Sequence, residues 1–297
     1  MMIKFCLIIF FSSVLLSSSS LNNSIYFFSK NARTLSISSI HSISNDINGL
    51  FYQPISNQKN ISGNSYLSYS KIYDNQFSVL QLGYCLENNN KRNISIGFIK
   101  RDIHNLFNTS NAWDYNQYII PNLNNIDYEN ISSLLYEDIG FVISYNKYQK
   151  NKIINLKFKP YYNKIQSNES FGIDIDLMYS IILNNYNLIL GVENLISEKK
   201  WDSGIYERNN LKYFFSNSIK INQITFFSEL NNLDSKKIAL EYNFNSIFYI
   251  RFGYDSKNKK TLGFGLSSAL FDINYAYFNS EFNLGSSSQI SILFRTN

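Results

Sequence analysis

Two histidines, two cysteines and one closely spaced pair of aspartates are the side chains in this sequence with the types and spacing for chemistry. His41 and His104 have no Cys, Asp or Glu at metal-ligand spacing, and no nucleophile motif is present. Both read as solvated or hydrogen-bonded polar residues. Asp174 and Asp176 stand two apart in an alternating run, so they share one strand face. Such a pair could do acid–base work or hold a cation, but the pattern favours a wet face turned toward a lumen. Gly263-Phe264-Gly265 lies in a strand with no helix after it, so it is no phosphate cradle; its glycines mark close packing or a bend. Cys6 lies in an apolar leader, which leaves Cys85 without an internal disulfide partner. The sequence predicts no catalytic residue, no metal site and no cofactor, and hence a protein that is not an enzyme.

The surrounding elements explain why so little chemistry is present. Residues 1–20 read as a secretory signal peptide: Lys4, an apolar core from Phe5 to Leu16, then the small residues Ser17 to Ser20. No later run reaches the roughly 18 apolar residues of a transmembrane helix. Basic residues are dispersed apart from Lys257, Lys259 and Lys260, so no nucleic-acid patch is expected despite the net charge of +5. Charged residues are 16% of the chain and aromatics 16%, mostly Tyr and Phe. What dominates is period-two alternation, as in Ile139, Phe141, Ile143 and Tyr145, in Phe171, Ile173, Ile175, Leu177 and Tyr179, and in Phe271, Ile273, Tyr275 and Tyr277. With weaker segments this gives about fourteen strands, each near the length that crosses a bilayer at a tilt.

Loop parity points the same way. Odd-numbered connections include the longest, Asp102–Glu137 and Asn194–Asn210, with Pro160–Ser170 on that side; even ones such as Tyr148–Asn151, Asn222 and Ser268–Leu270 are tight. Outer-membrane barrels pair short periplasmic turns with long external loops. The polar faces carry Asn, Ser, Gly and Asp rather than a Lys/Glu coat, and Tyr recurs near strand ends, as at Tyr69, Tyr84, Tyr254 and Tyr277. The predicted fold is all-β: a transmembrane antiparallel barrel of about 14 strands over residues 64–297, in contact with outer-membrane lipid. Residues 21–63 form an N-terminal plug in its lumen. There Asp46 and Asn48 would make a turn, Gly49 would allow an unusual backbone angle, Phe51 and Tyr52 would be buried, and Pro54 would end the segment.

Both ends carry a family resemblance. Ala32-Arg33, Asp46, Leu50-Phe51-Tyr52 and Pro54 resemble the N-terminal signature of the PorV/PorQ family, which is related to the FadL-like outer-membrane transporters of long-chain fatty acids. Gln53 and Ile55 depart from its usual Asn and Ala. Arg251, Gly253, Tyr254, Gly263, Gly265, Asp272, Tyr275, Tyr277, Leu284 and Gly285 resemble its closing hairpins. The resemblance implies a non-enzymatic outer-membrane barrel that supports type IX protein secretion or surface attachment. Its partners would be secretion-system subunits or secreted cargo, met through the external loops, with Trp113, Tyr115, Tyr118 and Trp201 as candidate anchors. The alternative is a FadL-like transporter of long-chain fatty acids or other hydrophobic small molecules, gated by the plug residues Arg33, Asp46, Gly49, Phe51, Tyr52 and Pro54.

Overall fold

The computed structural model describes residues 24–57, 61–104, 106–109, 112, 126–233, 235–257, 259–279 and 285–296. The expected signal peptide with Cys6, and Trp113, Tyr115 and Tyr118, lie outside the described residues, as does Leu284.

The sheet holds fifteen strands, of which Tyr206–Glu207 is a two-residue addition paired only with its neighbour, leaving fourteen in the wall. They are β1 (Ser65–Ile72), β2 (Phe77–Asn88), β3 (Arg92–Ile103), β4 (Tyr136–Gln149), β5 (Lys152–Ile165), β6 (Asn168–Leu183) and β7 (Tyr186–Trp201). The second half comprises β8 (Lys212–Ile221), β9 (Ile224–Asn231), β10 (Lys236–Phe244), β11 (Phe248–Asp255), β12 (Lys260–Ser267), β13 (Phe271–Asn279) and β14 (Ser286–Phe294). Each pairs antiparallel with its sequence neighbours, and β14 closes onto β1 from Ser65↔Phe294 to Lys71↔Ser288. Closure leaves no free edge in the wall.

Burial is inverted relative to a water-soluble protein. Leu82, Phe141, Leu177, Phe226, Ile238, Phe252 and Phe264 are exposed on the outer face, while Lys157, Asp174, Asp176, Glu229 and Arg251 are buried on the inner one. Only a solvent of acyl chains makes that alternation favourable, so the strands span a bilayer.

Connections at one end are tight: 89–91, 150–151, 184–185, 222–223, 245–247 and 268–270. Asn184, Asn222 and Asn245 turn there with positive φ, a region that asparagine tolerates better than most side chains. The opposite end carries the long connections 104–135 and 202–211. Two loops are shorter than the sequence suggested. Pro160–Ser170 is strand on both sides of a turn at 166–167, and Asn194–Asn210 begins as β7, which runs to Trp201. Pro160 and the polar run after it resemble a turn, but paired β5 and β6 carry it beyond the apolar band.

Candidate functional site

Residues 24–57 pack against the inward-facing side chains of the wall. They form a 3-10 turn at Ile25–Phe28, a short helix α1 (Ala32–Ser36) capped by the Asn31 side chain, and a 3-10 turn at Ile47–Gly49 capped by Asp46. A polar inner wall alone would not hold such a segment. The wall carries apolar islands that the strand pattern hides, and each receives an apolar residue. Ile25, Leu50, Phe51 and Ile55 pack with Val79, Ile99, Val142 and Leu293. Ile43 meets Ile153, Met178, Ile189 and Phe214. Ala32 and Leu35 meet Ala276 and Phe278, while Ile37 and Ile40 meet Phe227 and Ala239. Burying each such side chain contributes about 1.5–3 kcal/mol.

Strand glycines give the segment room to approach. A Cβ at Gly97 would lie 2.6 Å from Phe51 Cζ, one at Gly140 2.6 Å from Tyr26 Oη, and one at Gly263 2.2 Å from Ser36 Cβ. Gly263 is therefore a docking point for α1, whereas Gly265 makes room for Asn274 and Arg251. Gly49 acts in the same way. It does not need an unusual backbone angle, contrary to the sequence reading, because its φ is not in the left-handed region. A Cβ there would lie 2.7 Å from Ser44 Cβ, where Ser44 bridges Ile55 and its N–H donates to the Pro54 carbonyl at 2.9 Å.

A largely irregular segment inside a barrel must still satisfy its backbone. Wall side chains do this. Lys157 Nζ donates to the carbonyls of Leu50 at 2.8 Å, Gln53 at 2.9 Å and Gly49 at 3.2 Å. Gln81 and Gln289 donate to Phe28 and Lys30 carbonyls at 3.0 and 2.8 Å. Arg33 pairs with Glu241, which also binds Arg251; the carboxylate holds the Arg33 guanidinium above the usual arginine range.

His41 is the most densely engaged of these residues. Its ring lies between Phe214, 3.6 Å away and 10° from parallel, and Tyr52, 3.9 Å away at 23°. Nδ1 is 2.7 Å from Glu229 Oε2, and Nε2 is 2.9 Å from Glu193 Oε1. Ionised carboxylates only accept, so both ring nitrogens face acceptors. Each carboxylate also binds a lysine, Lys212 at Glu193 and Lys237 at Glu229. Glu193 shares the inward parity of Ile189 and Gly191 in β7, and just beyond it β6 and β7 slip register, from Ile175↔Ile196 to Leu177↔Val192, with Asn194 at φ 58°. Sequence reasoning missed this cluster, since its members are more than 150 residues from His41 and only barrel closure brings them together.

The other candidates are placed as follows. His104 is exposed, with Nε2 3.3 Å from Ser78 Oγ. Asp174 accepts from Ser24 Oγ and Asn209 Nδ2, and Asp176 pairs with Lys159 at 2.7 Å, so the aspartates are committed rather than wet. Trp201 donates to Glu207 at 3.0 Å and lies under Lys199 in its own hairpin.

The segment leaves two cavities. One, of about 240 Å³, is at the long-loop end, among Tyr26, Phe27, Phe28, Lys30, Tyr52 and Lys212. The other, of about 390 Å³, is at the short-turn end, among Arg33, Asp46, Asn48, Glu241, Arg251 and Asn274. Ser39 and Phe51 line the first, Ser42 and Asn48 the second, so the segment itself partitions the lumen and Ile40–His41 is one of its crossings.

The chain is similar in fold to a toluene transporter. That protein is TodX of P. putida, with a TM-score of 0.61 at 10% identity over 90% of this chain and 98% of TodX. Two mutants described as the TodX monoaromatic hydrocarbon channel align at TM-scores of 0.59 and 0.56, with 9% and 10% identity. They cover 91% and 89% of this chain, and 99% and 97% of theirs. No protein-family model matches the chain, and no curated protein does. At such identities the likeness establishes the fold, a closed antiparallel β-barrel, and nothing finer.

Proposed function

We propose that this protein is an outer-membrane channel for small molecules with an apolar body, in which residues 24–57 are the plug. The observation that carries this reading is the pair of cavities on the two sides of residues 24–57, with Ile40–His41 among the residues between them. A mouth lined by Tyr26, Phe27, Phe28 and Phe278 offers rings and chains a surface that open water does not. TodX, similar in fold, is a toluene transporter, which supports the same reading.

The PorV/PorQ-like signature does not favour secretion over transport. Arg33, Asp46, Gly49, Phe51, Tyr52 and Pro54 are all engaged in folding the segment or fixing it to the wall. They encode a plug, which either role could use. Lipid surrounds the belt in both cases.

The test is uptake of labelled toluene by bacteria that express the chain and lack another hydrocarbon channel, alongside affinity purification in non-ionic detergent. Faster uptake and no stoichiometric protein partner would support the channel. Unchanged uptake with secretion subunits or cargo co-purifying would overturn it in favour of type IX secretion or surface attachment.

A further inference from the structure

The cavity at the long-loop end has an uneven charge balance. Six lysines line it, Lys30, Lys159, Lys212, Lys237, Lys257 and Lys259, against three carboxylates, Asp176, Glu193 and Asp255. Lys159 is paired with Asp176, Lys212 with Glu193 and Lys237 with Glu229. His41 takes a further share of the charge of both Glu193 and Glu229. Lys30 has no carboxylate of its own among the described residues. Its ammonium reaches the Phe27 carbonyl and stands 4.7 Å from the centroid of the Phe27 ring and 5.1 Å from that of Tyr52. Lys212 Nζ stands 5.7 Å from the same Tyr52 ring, so two cations share one aromatic face. Burial, reinforced by Lys212, Lys237 and Lys259, pushes the Lys30 ammonium well below the ordinary lysine range. A half-buried cation among cations is unfavourable until something negative joins it.

We propose that this cavity is a binding site for a small organic monoanion, an aryl or short-alkyl carboxylate, with its charged group at Lys30. The body lies against Tyr26, Phe27, Phe28 and Phe278. A cavity of about 240 Å³ has room for one ring or a short chain. Hydrogen bonds from Lys30 and Lys257 and the nearby ring faces of Phe27 and Tyr52 would select the anion over its neutral analogue, because only the anion removes the uncompensated charge. The site rests on the reading that small molecules enter this lumen.

The experiment is calorimetric titration of the full chain in lipid nanodiscs with benzoate, octanoate, benzyl alcohol and benzylamine. Benzoate or octanoate is expected to bind at least tenfold more tightly than the alcohol, and the amine not at all. Lys30→Gln should lower carboxylate affinity at least tenfold, and Lys30→Arg should retain it, with the far-ultraviolet strand spectrum of both variants unchanged. Equal affinity for acid and alcohol, no binding of either acid, or an unaltered Lys30→Gln titration would each overturn the site. Carboxylate binding without toluene uptake would leave the site standing and remove the channel; toluene uptake without carboxylate binding would do the reverse.

Discussion

The Tyr26 hydroxyl lies 2.6 Å from the carbonyl oxygen of Pro160 and 2.5 Å from that of Phe141. The β4–β5 register is continuous here, but the ladder is interrupted between Gly140↔Tyr161 and Ile143↔Phe158, with Pro160 in the gap. Proline has no N–H to give its neighbour strand, so a wall carbonyl is left without its ladder partner. Tyr26 supplies a donor from the lumen, and Gly140 gives its ring the space. The wall defect and the segment complete each other. Tyr26→Phe keeps the packing and removes the donor, so it should destabilise the seated segment by about 1–3 kcal/mol. Denaturant titration in lipid vesicles would measure this. A double variant that also replaces Pro160 with Val should recover most of the loss, and failure to recover would refute the complementarity.

Gly263 fixes how closely α1 can approach the wall. A Cβ 2.2 Å from Ser36 Cβ cannot be accommodated without moving the helix. Gly263→Ala should therefore lift α1 and cost about 1–3 kcal/mol. Labelling of Ser36→Cys by a membrane-impermeant maleimide should be slow with Gly263 intact and several-fold faster in the double variant.

Alkaline pH should release the segment. Burial raises the Tyr26 hydroxyl above the usual tyrosine range, with Asp174 adding to it; burial raises Tyr52 in the same direction, with Glu193 and Glu229 adding. Folding favours the neutral phenol, so this stabilisation is complete below the unfolded value of about 10 and declines as pH rises above it. The decline is about 1.4 kcal/mol per pH unit for each tyrosine. Protease sensitivity of residues 24–57 should rise above about pH 10 while the strand spectrum persists. In Tyr26→Phe/Tyr52→Phe the pH slope should flatten. An unchanged slope would place the transition elsewhere, in the lysine ion pairs.

The barrel was more legible in the sequence than its contents. Strand alternation, tight Asn-rich turns and long loops at one end are local signals, and they read correctly except where the polar residues after Pro160 and after Asn194 imitate a loop. Phe214 shows why the lumen was harder. It sits beside Phe215 in β8, and alternation cannot say that Phe214 points inward to receive His41. The inward apolar islands, the β6–β7 register slip and the Glu193–His41–Glu229 cluster depend on closure between residues far apart in the chain. Gly97, Gly140 and Gly263 were the one sequence-level trace of docking, since a strand interior has little other use for glycine.

His41 carries the last prediction. The His41 ring ties the partition to β7 through Glu193 and to β9 through Glu229, and Phe214 of β8 fills the space between them. His41→Ala removes two charged hydrogen bonds and both stacking contacts, and leaves two buried carboxylates with one lysine each. The expected cost is about 3–5 kcal/mol, the loss typical when one partner of a buried ion pair is deleted. The barrel wall, with its own ladder intact, should survive that cost, whereas the partition should not. Single-channel recordings in planar bilayers should then show long-lived openings in His41→Ala that are rare in the parent. His41→Gln, which keeps one donor, should fall between them. Glu193→Gln and Glu229→Gln should open the barrel singly to a lesser degree and, combined with His41→Ala, add little, because the three groups form one linkage. If His41→Ala conducts like the parent while Ile40→Ala opens the pore, packing rather than the ion pair holds the partition closed.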